Sequence, residues 1–178
     1  MHYTISHSTL GLVLVAESAT GICAVLLGDD PDALRGDLRR RFPDASATAG
    51  DGSADARAAM IVRALERPAD AAEAEALPLD LHGTAFQREV WNALRAVPAG
   101  TAATYAAIAR GLGRATSARA VAQACAANPV AVLVHCHRVV RSDGAMAGYR
   151  WGGERKRVLL EREAAGIGAG ARMSTSPP

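Results

Sequence analysis

The run His135-Cys136-His137-Arg138 places a nucleophile, two imidazoles and a cation next to one another. It follows Val130–Val134, which reads as a short buried strand, and a cysteine at the end of such a strand is normally a small hydrophobe. Here its neighbours allow more. An adjacent imidazole can take the thiol proton, and positive charge favours the thiolate that attacks carbon. A carboxylate must then orient the imidazole, and Glu163 on the last helical segment is the candidate. Three other readings compete: a structural cysteine, a redox thiol, and a metal site made of His135, Cys136 and His137. Successive side chains on a strand point to opposite faces, so three adjacent ligands rarely close on one metal. No metal and no cofactor are expected.

The segments that must position these residues are mostly helical from Gly83 onward. Thr84 and Gln87 form a capping-box pattern that opens a helix with Phe86, Val90, Trp91 and Leu94 on one face, ending at Pro98-Ala99-Gly100. Thr101 or Thr104 caps Tyr105–Leu112, and Ser117 caps Ala118–Ala127, which Asn128-Pro129 closes. Two short helices joined by a glycine-containing turn form a helix-turn-helix pattern. The second presents Arg119 and then small residues (Ala120, Ala122, Ala124, Ala126), a face that can lie very close to another surface. Beyond the Val139-Val140 pair and the turn Arg141–Gly144, a final amphipathic helix covers Glu154–Ala165.

The N-terminal half differs in texture. Leu10–Ala16 and Gly21–Leu27 are apolar strand candidates around a polar turn, and Pro31–Arg41 reads as a helix that stops before Pro43. Residues 44–55 read as a loop, Ala54–Leu65 as a second helix, and 69–78 as an acidic connector running into a strand candidate, Leu77–Leu81. A boundary near His82 gives an α/β scaffold domain over 1–82 and a DNA-binding and acceptor domain over 83–165. Residues 166–178, rich in Gly, Ala, Ser and Pro, are expected to form a disordered tail.

Composition narrows the class. With 49% hydrophobic and 21% charged residues among 178, the chain is an ordinary globular protein with a proper core. No run approaches the ~18 apolar residues of a membrane span, and MHYTISHSTL lacks the pattern of a signal peptide. Three irregularly spaced cysteines (Cys23, Cys125, Cys136) form no disulfide framework and point to a reducing cytoplasm. Charge is split. Residues 1–80 carry seven arginines against thirteen carboxylates, net −6; residues 81–178 carry thirteen basic residues against five acids, net +8. A basic half suits an anionic partner such as nucleic acid, and equally a surface made soluble by arginine, since Lys156 is the only lysine.

Read in order, Gly83-Thr84-x-Phe86-Gln87-x-x-Val90-Trp91, Pro98-x-Gly100-Thr101, Tyr105-x-x-Ile108-Ala109, Arg119-Ala120-Val121, Asn128-Pro129, Cys136-His137-Arg138-Val139-Val140, Gly148-Tyr149 and Leu159-Leu160-x-x-Glu163 resemble the catalytic domain of the O6-alkylguanine-DNA alkyltransferases, the methylated-DNA–protein-cysteine methyltransferases. The stretch Gly-Tyr-Arg-Trp-Gly at 148–152 and the N-terminal strands most resemble the C-terminal half of bacterial adaptive-response alkyltransferases. The resemblance implies an α/β N-terminal domain, a small antiparallel sheet with helices that is ribonuclease-H-like, and a mostly α C-terminal domain with a helix-turn-helix. It implies single-turnover repair of double-stranded DNA by a monomer in the bacterial cytoplasm, with the alkylated guanine flipped out of the stack.

Carried over residue by residue, Cys136 is the alkyl acceptor, His137 its base acting through a water, and Glu163 the carboxylate that holds the imidazole. Asn128 supports the site, and Tyr105 helps rotate the nucleotide and polarises the leaving guanine. Arg119 fills the gap left by the base, with Ala120 beside it at the DNA. Tyr149, Val139, Arg150 and Trp91 are the expected pocket residues, with main chain at Cys136, Val139 and Arg150 reading the guanine edge. One position departs: the family motif is Pro-Cys-His-Arg, and this chain has His135. Histidine lacks proline's fixed φ and adds a titratable group beside the thiol. The resemblance still implies transfer; the alternative is a lesion-binding sensor whose transfer His135 impairs. An adaptive-response regulator would need a further cysteine cluster, which these 178 residues lack.

Overall fold

The computed structural model describes residues 1–43, 48–49, 53–113, 117–146 and 148–173. In the N-terminal half, strands β1 (His2–Ser8), β2 (Gly11–Glu17) and β3 (Ile22–Gly28) form an antiparallel meander, and β4 (Thr48–Ala49) adds to β1 in parallel, giving the order β3-β2-β1-β4. The sheet is mixed α/β in setting: helix α1 (Pro31–Arg41) lies against β3, and α2 (Ser53–Glu66) lies across β1 and β2. Helix α1 has the expected bounds because Asp30 caps it, accepting from Asp32 N, and proline occupies its first position. The run expected as a loop at 44–55 lies mostly outside the described residues, which show only β4 and the start of α2 there.

The connector is more ordered than its composition announces. A 3-10 turn at Pro68–Asp70 leads into a single-turn helix α3 (Ala72–Glu75), and the strand expected at Leu77–Leu81 reduces to one parallel bridge, Leu79 to Ile22.

Helix α4 (Ala85–Arg95) starts at the capping box, with both reciprocal bonds between Thr84 and Gln87 formed. Its buried face is Val90, Trp91 and Leu94. Gly83 precedes it because a Cβ there would sit 2.5 Å from the Trp91 ring. A short strand β5 (Ala103–Thr104) leads into α5 (Tyr105–Gly111), capped by Thr104, and α6 (Ala118–Ala127) is capped by Ser117. Strand β5 pairs in parallel with β6 (Val139–Val140). The last helix, α7, runs from Gly153 to Met173. The tail expected to be disordered from 166 is therefore helical to 173, and 174–178 lie outside the described residues. Among the described residues no helix is long and apolar enough to cross a membrane.

The segment Val130–Val134 is not the strand its five apolar residues predict. Val130 makes one bridge, to Val25, and the chain then turns, with Val132 at φ 68°. A β-branched residue in the left-handed region is strained, so the surroundings must impose it. Asn128 does so: its Nδ2 donates to the carbonyls of both Val130 (3.2 Å) and Val134 (3.3 Å), and its Oδ1 accepts from Val130 N (2.8 Å). One buried core joins both halves, reinforced where Val25 N donates to Pro129 O and Ala131 N to Val25 O, each 2.9 Å.

Candidate active site

The turn that Asn128 closes delivers Cys136 into a 3-10 turn, Cys136–Arg138, rather than to a strand end. The Sγ of Cys136 accepts a third Nδ2 contact from Asn128 at 3.1 Å. Burial pushes the Cys136 thiol up to about 11, against the pull of Asn128 and of the Lys156 ammonium. The group therefore rests as a thiol and needs a base to become a nucleophile.

The next residue carries an imidazole, a group that can act as that base. His137 is 1% exposed, and its Nε2 lies 2.8 Å from Glu163 Oε1. Burial lowers its pKa, while Glu163 works in the other direction. Glu163 is also buried, and despite burial its carboxyl is held down at about 2 by His137 and Arg138. An ionised carboxylate only accepts, so the ring proton sits on Nε2 and Nδ1 keeps its lone pair. Nδ1 has no partner among the described residues.

Sequence reasoning missed three parts of this network. Arg138 spans the carboxylate, with Nε at 3.0 and 3.1 Å from the two oxygens and NH2 at 2.9 Å from Oε1, while NH1 donates to Val97 O at 2.5 Å. Gly100 N donates to Glu163 Oε2 at 3.2 Å, which is what the Pro98-x-Gly100 motif positions. Lys156, fully buried, donates from Nζ to Val139 O at 2.5 Å. The only sequence cue for Lys156 was its being the sole lysine.

Cys136 opens onto a cavity of about 580 Å³ lined by Tyr105, Cys125, Tyr149 and Arg150 among others, with Ala122 and Ala126 supplying the small face of α6. Tyr105 is half-buried, its phenol pushed up to about 12 by burial and by the two thiols. Cys125, the second thiol in the wall, is pushed to about 12, chiefly by burial. Tyr149 packs edge-on between His137 (6.5 Å) and Trp151 (5.1 Å). Arg150 is held from outside: its NH2 meets both oxygens of Asp37 at 3.1 Å and NH1 donates to Ala126 O at 3.3 Å. Asp37 is thus a wall support from the N-terminal half.

Two expected pocket residues lie elsewhere. Trp91 is not in the cavity wall; its Nε1 donates to Ala124 O at 2.9 Å, fastening α4 to α6. The Val139 side chain is buried outside the wall, and its carbonyl already carries Lys156. Arg119 stands exposed in the first turn of α6 with Ala120 beside it, away from the cavity lining. Among the described residues no group of three or more His, Cys, Asp or Glu is arranged to hold a metal ion.

A family model described as "6-O-methylguanine DNA methyltransferase, DNA binding domain" matches residues 85–165. The Escherichia coli "Bifunctional transcriptional activator/DNA repair enzyme Ada" is 44% identical over 164 residues, 92% of this chain and 46% of that protein, so the chain spans about half its length. The inducible "Methylated-DNA--protein-cysteine methyltransferase" of Bacillus subtilis is 38% identical over 125 residues, covering 70% of this chain and 68% of that protein. The solved Mycobacterium tuberculosis OGT in complex with DNA superposes with a TM-score of 0.75 at 30% identity, over 93% of this chain and 94% of that one. A thiol, its hydrogen-bonded histidine–carboxylate pair and a fold shared over nearly the full length together make this chain a member of the O6-methylguanine-DNA methyltransferase family.

Proposed function

We propose that the chain repairs double-stranded DNA by moving an alkyl group from O6 of guanine to Cys136, once per molecule. The observation that carries this is Cys136 Sγ held at 3.1 Å by Asn128 at the wall of a cavity, beside the buried His137–Glu163 pair. In the reaction the S–C bond forms as the C–O6 bond breaks. The thiol proton goes to His137 through a water, and the departing guanine takes up a proton in exchange, with the Tyr105 phenol donating toward the developing negative charge. The product is a thioether, so no step regenerates the thiol.

Cys136 is 5% exposed, so a stacked base cannot reach it; the nucleotide must leave the duplex and enter the cavity. Helices α5 and α6 serve as the helix-turn-helix, with Arg119 taking the space of the flipped base and Ala120 allowing close approach to the minor groove. Tyr149 and the main chain of Cys136 and Arg150 contact the guanine, as does the Val139 carbonyl through the lone pair that Lys156 leaves open. Residues 1–82, with a ribonuclease-H-like sheet, are the scaffold domain and 83–165 the DNA-binding and acceptor domain, in a monomer of the bacterial cytoplasm that uses no cofactor.

The test is the intact mass of the protein after incubation with a duplex containing one O6-methylguanine. The expected result is one added methyl, mapped to the Cys136 peptide, with guanine restored in the DNA. Tight lesion binding without a mass change would overturn the transfer reading and leave a lesion-binding sensor.

A further inference from the structure

His135, which replaces the family's proline, is 4% exposed, and its Nδ1 lies 2.8 Å from Arg138 NH1. A guanidinium has only donors, so Nδ1 is the acceptor and the ring proton sits on Nε2. That N–H makes no hydrogen bond among the described residues, although Glu75 Oε1 on α3 comes within 3.3 Å of Nε2. Arg138 NH1 carries two hydrogens and meets two acceptors, Val97 O and His135 Nδ1. Its NH2 and Nε are turned to Glu163, with Glu75 3.9 Å from NH2. A proline at 135 has no side-chain acceptor and leaves one NH1 hydrogen without this partner. Burial and the neighbouring Arg138 push the His135 pKa down to about 3, so the ring stays a neutral acceptor across the ordinary pH range.

We propose that His135 is a positioning residue for alkyl transfer: through Nδ1 it fixes the Arg138 guanidinium, which holds Glu163 in the orientation that leaves His137 Nδ1 free to take the proton. The proposal rests on the alkyl-transfer reading, so its test needs a readout independent of transfer.

Wild type, H135N, H135Q and H135L are compared by single-turnover transfer over a range of DNA concentrations and by nitrogen-15 NMR of the Arg138 guanidinium and His135 ring. Asparagine places its amide oxygen where Nδ1 stood; glutamine places it further out, near Nε2. H135N is expected to retain most of the transfer rate and a rigid, slowly exchanging Arg138. H135L and H135Q are expected to lose about tenfold in the maximal rate, the scale of one buried hydrogen bond to a charged group, with half-saturating DNA unchanged and Arg138 averaged. Wild-type rates in H135L with Arg138 still rigid would overturn the proposal. So would equal rescue by asparagine and glutamine, a comparison that decides the matter even if H135L fails to fold. A wild type that transfers nothing but shows a rigid Arg138 and an Nε2-protonated His135 would refute alkyl transfer itself, and the kinetic half of the proposal with it.

Discussion

Replacing Glu163 by glutamine keeps the shape of the side chain and removes its charge, and the consequences can be worked from the structure. The carboxylate receives His137 Nε2, two nitrogens of Arg138 and Gly100 N, all within 3.2 Å. An amide has one oxygen for these donors, so its NH2 must face another donor, and Arg138 loses its nearest counter-charge. The carboxyl titrates at about 2 instead of the usual 4.5. That depression is stability present above pH 4.5 and lost as pH falls toward 2, and its full size is about 3 kcal/mol. Glu163→Gln should therefore lower Tm at pH 7 by about 6–12 °C for a chain of this length. In urea titrations the gap between wild type and variant should shrink to less than half its neutral value by pH 3. Transfer to DNA should also slow at least tenfold, since His137 loses the group that fixes its tautomer. An undiminished gap at pH 3, or a Tm difference below about 2 °C at pH 7, would refute the assignment of Glu163 as the buried charge of this network.

Asn128→Ala removes the side chain that joins Val130, Val134 and Cys136, orphaning buried carbonyls; urea unfolding should show a loss of about 3–5 kcal/mol. The Cys136 thiol at about 11 and the Cys125 thiol at about 12 predict slow labelling by iodoacetamide at pH 7.5, with rates climbing steadily above pH 9, as peptide mass spectrometry would show. Arg119→Ala should weaken binding to undamaged duplex and lower the slope of log affinity against log salt by about 1, read by anisotropy titrations at several salt concentrations.

What was legible in the sequence follows the range of the interactions involved. Helices α1, α4 and α6 were readable because their ends are set by neighbours in the chain: Asp30 before Pro31, Thr84 with Gln87, Ser117 before Ala118. Strand β1 was not, because HYTISHS is half polar and becomes a strand only through its seven-residue register with β2. The turn at Val132 hid in an apolar run because the residue that bends it, Asn128, acts through its side chain from outside the run. The thiol, its histidine and its carboxylate were named from residue types and motif order. Their supports were not. Arg138 against Glu163, Gly100 N on the same carboxylate and Glu75 near His135 are meetings of distant segments that no local pattern encodes.

Strand β3 lies at the edge of its sheet, and its outer backbone is taken up at Ile22 by Leu79 and at Val25 by Val130. An apolar strand such as ICAVLLG with an open edge is a template for pairing with other copies. The turn that carries Cys136 therefore also shields this edge from self-association. A fragment ending at His82 would keep the cover at Ile22 and lose the one at Val25, and its β3 would be open to edge-to-edge aggregation.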